Sequence, residues 1–339
     1  MQYTQTKFRT HTCGELRKSD VGKEVKLAGW VNVYRDFGKL VFLGVSEATL
    51  LFARSRAARA QGRTTSNRSY INGVQFGLQP FCYHDLPMIR ENRGELIRRL
   101  VRNGMGMVEL HATWVEPRFI DPGVTTAQAR DKLREWRLSP PRGYYQSVRK
   151  ELDDAGVTVF TYYVNFDDSY TDAELDAVFE GAKVLGARGC VGSMGQAVSR
   201  RLAPFPGRHG MFVGLHNHDN LSDPDAFSSE QSMVTGLSMS PDFKMMLDVR
   251  HFTAADGDAV AFLERHHDRV AGLHVGDRRK HNGRSTPFGE GDAPIIELLR
   301  MIRDNRWPII ALLEFEHGTL RPEVEEVDLM FDYCKRAVA

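Results

Sequence analysis

The segments Val270–Val275 (VAGLHV) and Ile309–Phe315 (IIALLEF) decide the fold that this sequence predicts. Each is a short apolar run that carries charged or imidazole side chains near its carboxyl end. Runs of this length, rich in valine, isoleucine, leucine and methionine, are typical of strands in a parallel sheet whose outer face is covered. Six further runs of the same kind precede them: Val74–Cys82, Gly106–Ala112, Val157–Val164, Gly189–Gly192, Met211–His216 and Phe243–Val249.

Amphipathic helical segments separate most of these strands. The clear cases are Glu91–Asn103, Asp172–Leu185, Asp256–His267, Ala293–Asp304 and Pro322–Ala337. Eight strand–helix units in about 265 residues predict an α/β protein with a (β/α)8 TIM barrel. A doubly wound open sheet is the alternative, but it would normally place a glycine-rich phosphate turn after a strand. Gly104-Met105-Gly106 precedes its strand instead, so the barrel is favoured.

The overall charge limits the classes of partner. The chain has 339 residues with 45 basic and 44 acidic side chains, a formal net charge of +1. This balance excludes a protein that holds nucleic acid mainly through bulk positive charge, so we expect no nucleic-acid partner. No apolar run reaches the roughly 18 residues that a spanning helix needs, so we expect no membrane partner. Four scattered cysteines favour reduced thiols over a disulfide framework.

The first 44 residues differ from the barrel region. Residues 25–33 alternate like a half-buried strand, residues 40–43 predict a second strand, and the turn-like residues 35–38 between them indicate a β-hairpin. The stretch Arg9–Arg17 (RTHTCGELR) resembles the start of a bacterial aspartyl-tRNA synthetase, where this segment opens the OB-fold domain that grips the anticodon. The resemblance stops after Leu43, and two strands cannot close a five-stranded barrel. We therefore interpret residues 1–44 as a partial OB-like segment, and a tRNA-binding module is a weak alternative.

Residues 42–60 are similar to the end of a secretory leader. A short apolar stretch is followed by arginines and by Ala58-Arg59-Ala60, a small-x-small site like that of twin-arginine leaders. We assign residues 45–70 to a leader-like and linker segment, and residues 71–339 to the barrel. As written, the chain predicts a cytoplasmic protein, whereas the leader-like stretch points to an exported, periplasmic parent. A gene fusion or misassembled reading frame near Leu43 is our hypothesis for both halves.

Metal-capable side chains follow four consecutive predicted strands. Active sites of (β/α)8 barrels lie at the carboxyl ends of the strands, so these side chains are expected to meet. They are His216 and His218, Asp248 and His251, His274, and Glu314 and Glu316. Imidazole and carboxylate ligands without thiolate suit one divalent ion, Mn²⁺, Co²⁺, Mg²⁺ or Zn²⁺. Such an ion can polarise a sugar carbonyl while a nearby carboxylate or imidazole carries the proton.

Four motifs carry a second resemblance, from about residue 74 to the end. They are the pair Asp248-x-x-His251, the strand end His274–Arg278, the loop Pro287–Asp292 and Leu313-Glu314. This region resembles the xylose isomerase-like TIM-barrel superfamily in its sugar phosphate isomerase/epimerase branch. The resemblance implies a small sugar-like substrate, a homo-oligomer and one divalent ion held by His216, Asp248, His274 and Glu314. It also implies that His251 contacts a substrate hydroxyl or a ligand-bound water and that Arg278 faces the substrate.

One position departs from the resemblance. Epimerases of this superfamily usually have a glutamate where His216 stands, so a symmetric proton shuttle between two carboxylates is in doubt. His216, His218, Glu316 and Glu109 are therefore the candidates for the catalytic base, and Glu314 and His251 are also expected to be catalytic residues. Glu316 is also a candidate substrate contact, and we expect His84, Asn165 and Tyr162 to line the pocket.

Alternatives to an isomerase or epimerase remain open. They are a lyase or dehydratase, an endonuclease IV-like phosphodiesterase, and an inactive barrel kept for protein binding. The phosphodiesterase would use three metals and an Asp-x-His motif on the seventh strand side, which is missing after His274.

Deletion of residues 1–60 tests this division of the chain. We expect the shortened protein to keep its helical circular dichroism and to bind the same amount of divalent metal, because the predicted barrel starts after residue 70. Loss of the whole fold on deletion would contradict the assignment of these residues to a separate segment.

Overall fold

The structure is a computed structural model that describes residues 31–36, 41–45, 48–51, 67–120, 124–319 and 321–339. The chain divides into two compact units, residues 1–64 and 65–339. In the first unit, β1 (Val31–Asp36), β2 (Val41–Val45) and β3 (Ala48–Leu51) form an antiparallel sheet in that order. The predicted hairpin is present as β1 and β2, and β3 lies in the stretch interpreted as leader-like. Predictions for residues 1–30 and 52–66 lie outside the described residues.

The second unit alternates strands and helices along its whole length. Its strands are β4 (Tyr70–Ile71), β5 (Val74–Leu78), β6 (Met107–His111), β7 (Thr158–Tyr163), β8 (Gly189–Gly192), β9 (Phe212–His216), β10 (Phe243–Asp248), β11 (Val270–Val275), β12 (Asp277–Arg278), β13 (Ser285–Thr286) and β14 (Ile310–Leu313). Its helices are α1 (Arg93–Arg102), α2 (Thr126–Leu138), α3 (Tyr144–Asp154), α4 (Asp172–Leu185), α5 (Gln196–Leu202), α6 (Phe205–His209), α7 (Glu230–Ser238), α8 (Val249–Ala254), α9 (Ala259–His266), α10 (Ile295–Asn305) and α11 (Glu323–Val338).

Eight parallel strands close into a barrel. The order is β5-β6-β7-β8-β9-β10-β11-β14, and β14 pairs with β5 in parallel register to complete the ring. β4 adds an antiparallel strand beside β5, and β12 and β13 form a separate antiparallel pair in the loop after β11. The predicted (β/α)8 barrel is confirmed.

The apolar core has two parts, as the strand pattern predicts. A large cluster lies between the barrel and the helices, and it includes Leu100, Val178, Phe262, Leu299 and Met330. A smaller cluster contains barrel-strand residues such as Met107, Phe160, Met246 and Leu312. These strands also carry the polar side chains at their carboxyl ends.

The helix predictions differ from the structure in two ways. The segment predicted as one helix over Asp256–His267 begins only at Ala259. Asp256 has a left-handed φ of +61°, and Asp258 caps α9 by accepting from the backbone N–H of Ala261 at 2.9 Å. The sequence analysis did not predict the helices α2, α3, α5, α6, α7 and α8. None of the helices in the described part of the chain is long and apolar enough to span a bilayer.

A buried ionic cluster ties α2 and α4 to the loop after β6. The Arg137 guanidinium donates to Glu116 at 2.6 Å and to Glu174 at 2.9 Å, and all three side chains are at most 5% exposed. Arg130 adds two further hydrogen bonds to Glu174, each 2.7 Å long. Burial alone would raise the pKa of Glu174, but the hydrogen bonds from Arg130 and Arg137 lower it.

Replacement of Arg137 by methionine tests this cluster. The variant leaves Glu116 without its cation in the interior, so we expect a loss of about 3–5 kcal/mol of unfolding free energy near neutral pH. Because the pKa of Glu174 is lowered in the folded state, the difference from the unaltered protein should shrink as pH falls through that lowered pKa. Urea denaturation at several pH values measures both effects. Arg142→Met, an exposed position before α3, is the control, and an equal loss there would contradict the assignment.

Candidate active site at the carboxyl ends of the barrel strands

Four of the predicted side chains meet at one end of the barrel. His216 and Asp248 are the last residues of β9 and β10, His274 lies next to the end of β11, and Glu314 directly follows β14. Parallel pairing places Asp248 opposite His274. One ligand atom from each of the four residues lies within 4.8 Å of the others, and all four are buried. Parallel register thus brings together residues that are almost 100 positions apart.

The donor set fits a divalent ion. Several buried polar atoms here have no well-aligned hydrogen-bond partner, including both ring nitrogens of His274. Nδ1 of His274 is nevertheless 3.2 Å from Oε2 of Glu314, and Nε2 of His216 is 3.4 Å from Oδ2 of Asp248. Two ligands about 2.1 Å from one ion can be at most about 4.2 Å apart, so the most widely separated of the four ligand atoms would move closer by at least about half an ångström. These residues could therefore hold one ion.

Asp248 serves two purposes at once. Its Oδ1 accepts from the backbone N–H of His251 at 2.9 Å and so caps the start of α8, while its Oδ2 faces the imidazole of His216. Asn217 holds the backbone of Asp248 on both sides, since its amide accepts from N–H at 2.7 Å and donates to C=O at 3.0 Å. The carboxylate is thereby fixed at the strand end.

The charges in the site shift one another's pKa values. Burial alone would raise the pKa of Asp248 and of Glu314. The guanidinium of Arg250 and the nearby imidazoles instead hold the pKa of Asp248 well below its usual value and lower the pKa of Glu314 to about 2. Burial alone would lower the pKa of His274, and the carboxylates of Glu109 and Glu314 raise it well above its usual value. Both predicted carboxylate ligands are therefore ionised.

The hydroxyl of Ser193 contacts His216 and two neighbouring side chains. Oγ of Ser193 is 3.1 Å from Nδ1 of His216, 2.9 Å from Nε2 of His218 and 2.5 Å from the hydroxyl of Tyr163. With Nδ1 engaged by Ser193, Nε2 of His216 is directed towards Asp248. Burial, together with the neighbouring imidazoles His216 and His251, lowers the pKa of His218 to about 4.

Glu109 lies behind His274. Its Oε1 is 3.1 Å from Nε2 of His274, its Oε2 accepts from the hydroxyl of Thr161 at 2.7 Å, and its side chain is fully buried. A carboxylate on the far nitrogen of an imidazole ligand fixes the ring orientation and makes the ring more basic. This contact favours a positioning role for Glu109, and direct proton transfer by Glu109 stays a prediction.

His251 and Arg278 meet at the mouth of the site with Asp219. Asp219 was not among the predicted residues. It accepts from Arg278 Nη2 at 2.8 Å and lies 3.2 Å from Nδ1 of His251. Arg278 Nη1 is 3.2 Å from the same Nδ1. The three side chains hold one another next to His218, whose ring centroid is 4.8 Å from that of His251. Their predicted substrate contacts stay predictions.

Arg250 is the main residue that the sequence analysis missed. Its side chain is 1% exposed, and it contacts Asp248 and Glu314 as well as the partly exposed Glu316. The available signal was its position between Asp248 and His251, at the start of the segment after a strand. An arginine two residues after a strand is ordinarily a solvated residue, and burial became visible only with the neighbouring strands in place.

The predicted pocket-lining residues lie in different surroundings. His84 is exposed and packs edge-on against Phe315, with ring centroids 5.0 Å apart, and Asn165 is exposed after β7. The expectation for Tyr162 is wrong. Its hydroxyl donates to Glu116 at 3.1 Å in the buried ionic cluster, while Tyr163 points to the site, because successive residues of a strand face opposite sides.

The loop Pro287–Asp292 borders the site and is held by Asp277. The carboxylate of Asp277 accepts from the backbone N–H groups of Gly289, Gly291 and Ala293 at 2.7, 2.9 and 3.1 Å. Gly289 has φ of +86°, which favours glycine, and a Cβ at Gly291 would overlap the Asp277 carboxylate. A cavity of about 560 Å³ adjoins this loop, between Arg278, Thr286 and Glu316.

A family model matches part of the barrel. Residues 193–335 match the family model described as xylose isomerase-like TIM barrel. The resemblance of the barrel to this family, inferred from the sequence, is confirmed.

Solved structures similar to the barrel have low sequence identity and show the fold. A xylose isomerase domain protein from Alicyclobacillus acidocaldarius has a TM-score of 0.57 at 15% identity, covering 78% of this chain and 98% of that one. The 3-keto-D-glucoside 4-epimerase from E. coli has a TM-score of 0.56 at 14% identity, covering 78% and 99%. A sugar phosphate isomerase/epimerase from Parabacteroides distasonis has a TM-score of 0.53 at 16% identity, covering 76% and 94%.

A short N-terminal segment matches a different class of protein, as the sequence predicts. The aspartate–tRNA(Asp/Asn) ligase of Rickettsia akari is 58% identical over 41 residues, which is 12% of this chain. The chain spans only 7% of the length of that ligase.

The variant Asp277→Asn tests the anchoring of the loop. An amide offers one acceptor oxygen in place of two and brings an N–H₂ group towards backbone N–H donors. The loop should therefore lose some of the hydrogen bonds that anchor it to residue 277. We expect amide hydrogen exchange of residues 288–293 to accelerate by about tenfold or more, with little change in the barrel strands. Exchange followed by mass spectrometry measures this, with Asp292→Asn as a control in the same loop. An unchanged rate in Asp277→Asn would rule out the anchoring role.

Proposed function

We propose that the barrel is a divalent-metal-dependent isomerase or epimerase that acts on a small sugar or sugar-like polyol. The observation that carries this proposal is the convergence of His216, Asp248, His274 and Glu314 within 4.8 Å at the carboxyl ends of four successive barrel strands. Two imidazoles and two carboxylates form a donor set for one ion. The family match and the epimerase fold neighbours support a sugar as the substrate.

The residues of the site have different roles in the proposed reaction. When bound, a divalent ion would polarise the carbonyl of the substrate and stabilise negative charge that develops on its oxygen. His251 and Arg278 are placed to orient substrate hydroxyls at the mouth. His218 packs against the candidate ligand His216, with ring centroids 4.8 Å apart, and the carboxylate of Glu316 lies 2.9 Å from Arg250. These two groups are the best-placed candidates to move a proton, because they are more exposed than the ligands.

A lyase or dehydratase step is the second candidate. The observation that favours it is that the two candidate proton carriers are unlike groups, the imidazole of His218 after β9 and the carboxylate of Glu316 after β14. An acid–base pair of unlike groups suits removal of a proton from one carbon and protonation of a leaving hydroxyl. A phosphodiesterase with three metals has less support. Among the described residues, one cluster of four side chains could hold a metal ion. The carboxylate of Asp277 accepts from backbone N–H groups of the neighbouring loop instead of facing that cluster.

Metal analysis of the purified protein is the first experiment. We expect about one equivalent of Mn²⁺, Co²⁺, Mg²⁺ or Zn²⁺ per chain, and Asp248→Ala or His274→Ala should abolish binding because each removes one of about four ligands. Asp242→Ala, at the opposite end of the strand that carries Asp248, is the matched control and should bind metal normally. Absence of metal binding in the unaltered protein would refute metal dependence, and three equivalents would favour the phosphodiesterase.

Reaction in deuterium oxide then separates the two candidate chemistries. An isomerase or epimerase should incorporate solvent deuterium at a carbon next to the carbonyl of a ketose or ketose phosphate without loss of water. A dehydratase should give a product with a new double bond. Nuclear magnetic resonance spectra of a panel of ketoses, aldoses and polyols distinguish these outcomes.

A further inference from the structure

Arg250 is a buried cation that contacts three carboxylates. Its Nη2 is 2.6 Å from Oδ2 of Asp248 and 3.0 Å from Oε2 of Glu314, and its Nη1 is 2.9 Å from Oε2 of Glu316. The first two carboxylates are almost completely buried, whereas the side chain of Glu316 is 34% exposed. One guanidinium therefore joins the interior of the site to its partly exposed rim.

The oxygens that Arg250 contacts are those that face the imidazoles. Oδ2 of Asp248 lies 3.4 Å from Nε2 of His216, and Oε2 of Glu314 lies 3.2 Å from Nδ1 of His274. Because Oδ1 of Asp248 accepts from the backbone N–H of His251, Oδ2 is the oxygen that remains for an ion, and Oε2 is the oxygen of Glu314 that faces His274. Nη2 of Arg250 and the ion thus compete for one pair of acceptors.

The fold makes room for the arginine at this point. Gly276 follows β11, and a Cβ on it would overlap the side-chain carbons of Arg250. The absence of a side chain at Gly276 therefore leaves space for the side chain of Arg250 beside the end of β11. Because the site is buried, repulsion between this cation and a dication is screened far less than at the surface.

We propose that Arg250 is a built-in competitor of the metal ion. Its guanidinium neutralises Asp248 and Glu314, and ion binding requires Nη2 to leave these oxygens while Nη1 keeps its contact with Glu316. Affinity for the ion is lowered as a result, and the protein without metal is stabilised. This inference rests on the proposed metal-dependent function.

Two substitutions should change metal affinity in opposite directions. Arg250→Met removes the competing cation and keeps an unbranched side chain, so affinity for Co²⁺ should rise by about tenfold or more. Without metal this variant should be less stable, and Co²⁺ should raise its melting temperature more than that of the unaltered protein. Glu316→Gln removes the carboxylate that holds the displaced guanidinium, so affinity for Co²⁺ should fall by about threefold or more.

Titration with Co²⁺, followed by visible absorbance and calorimetry, measures these affinities in the full chain. Arg265→Met is the matched control, since Arg265 pairs with Glu230 at 2.7 Å on the exposed surface of α9. It should leave the affinity for Co²⁺ unchanged. Circular dichroism verifies folding of each variant.

The outcomes separate this inference from the proposed function. If the unaltered protein binds Co²⁺ and folded Arg250→Met binds it no more tightly, competition is wrong and the proposed metal site stands. If Arg250→Met does not fold, Glu316→Gln decides, and an unchanged or higher affinity there overturns the inference. Binding by Arg250→Met but not by the unaltered protein supports competition and contradicts metal dependence of the natural chain. No binding by either protein overturns both.

Discussion

The charge of two buried carboxylates, Asp248 and Glu314, is the constraint on which the site depends. An ionised carboxylate in the interior costs several kcal/mol unless cations or hydrogen-bond donors compensate it. Here Arg250 contacts both, while His216 faces one and His274 faces the other. These compensating groups come from three different strand–helix units. A change at any of them is therefore expected to affect the whole site.

Asp248 couples this charge balance to the fold. One carboxylate oxygen caps the first turn of α8, and Arg250 and His251 lie in that turn. The other oxygen belongs to the candidate ligand set. Asp248 ends a strand, caps a helix and is a candidate ligand. The geometry of the site is therefore set by regular secondary structure and not by loops. The loop Pro287–Asp292 is anchored in a comparable way by a single carboxylate, that of Asp277.

The amino-acid sequence predicts a residue's role where that role depends on its place at a strand end. His216, Asp248, His274 and Glu314 could be grouped because each stands at or next to the carboxyl end of an apolar run, and parallel strands bring these ends together. The prediction failed where the direction of a side chain matters. Tyr162 was expected in the pocket, but Tyr163 faces it, since a shift of one residue reverses the side of a strand.

The sequence by itself determined the barrel, its eight strands and the end of the barrel where polar residues gather, because apolar run length and spacing are local properties. It also marked the first 44 residues as a segment of another kind, through a motif that is readable without a fold. Only the tertiary structure decided that Arg250 is buried between carboxylates and that Glu109 lies behind His274. Both facts depend on which groups from distant strands meet in the interior, and contacts between separate strand ends have no signature in local sequence.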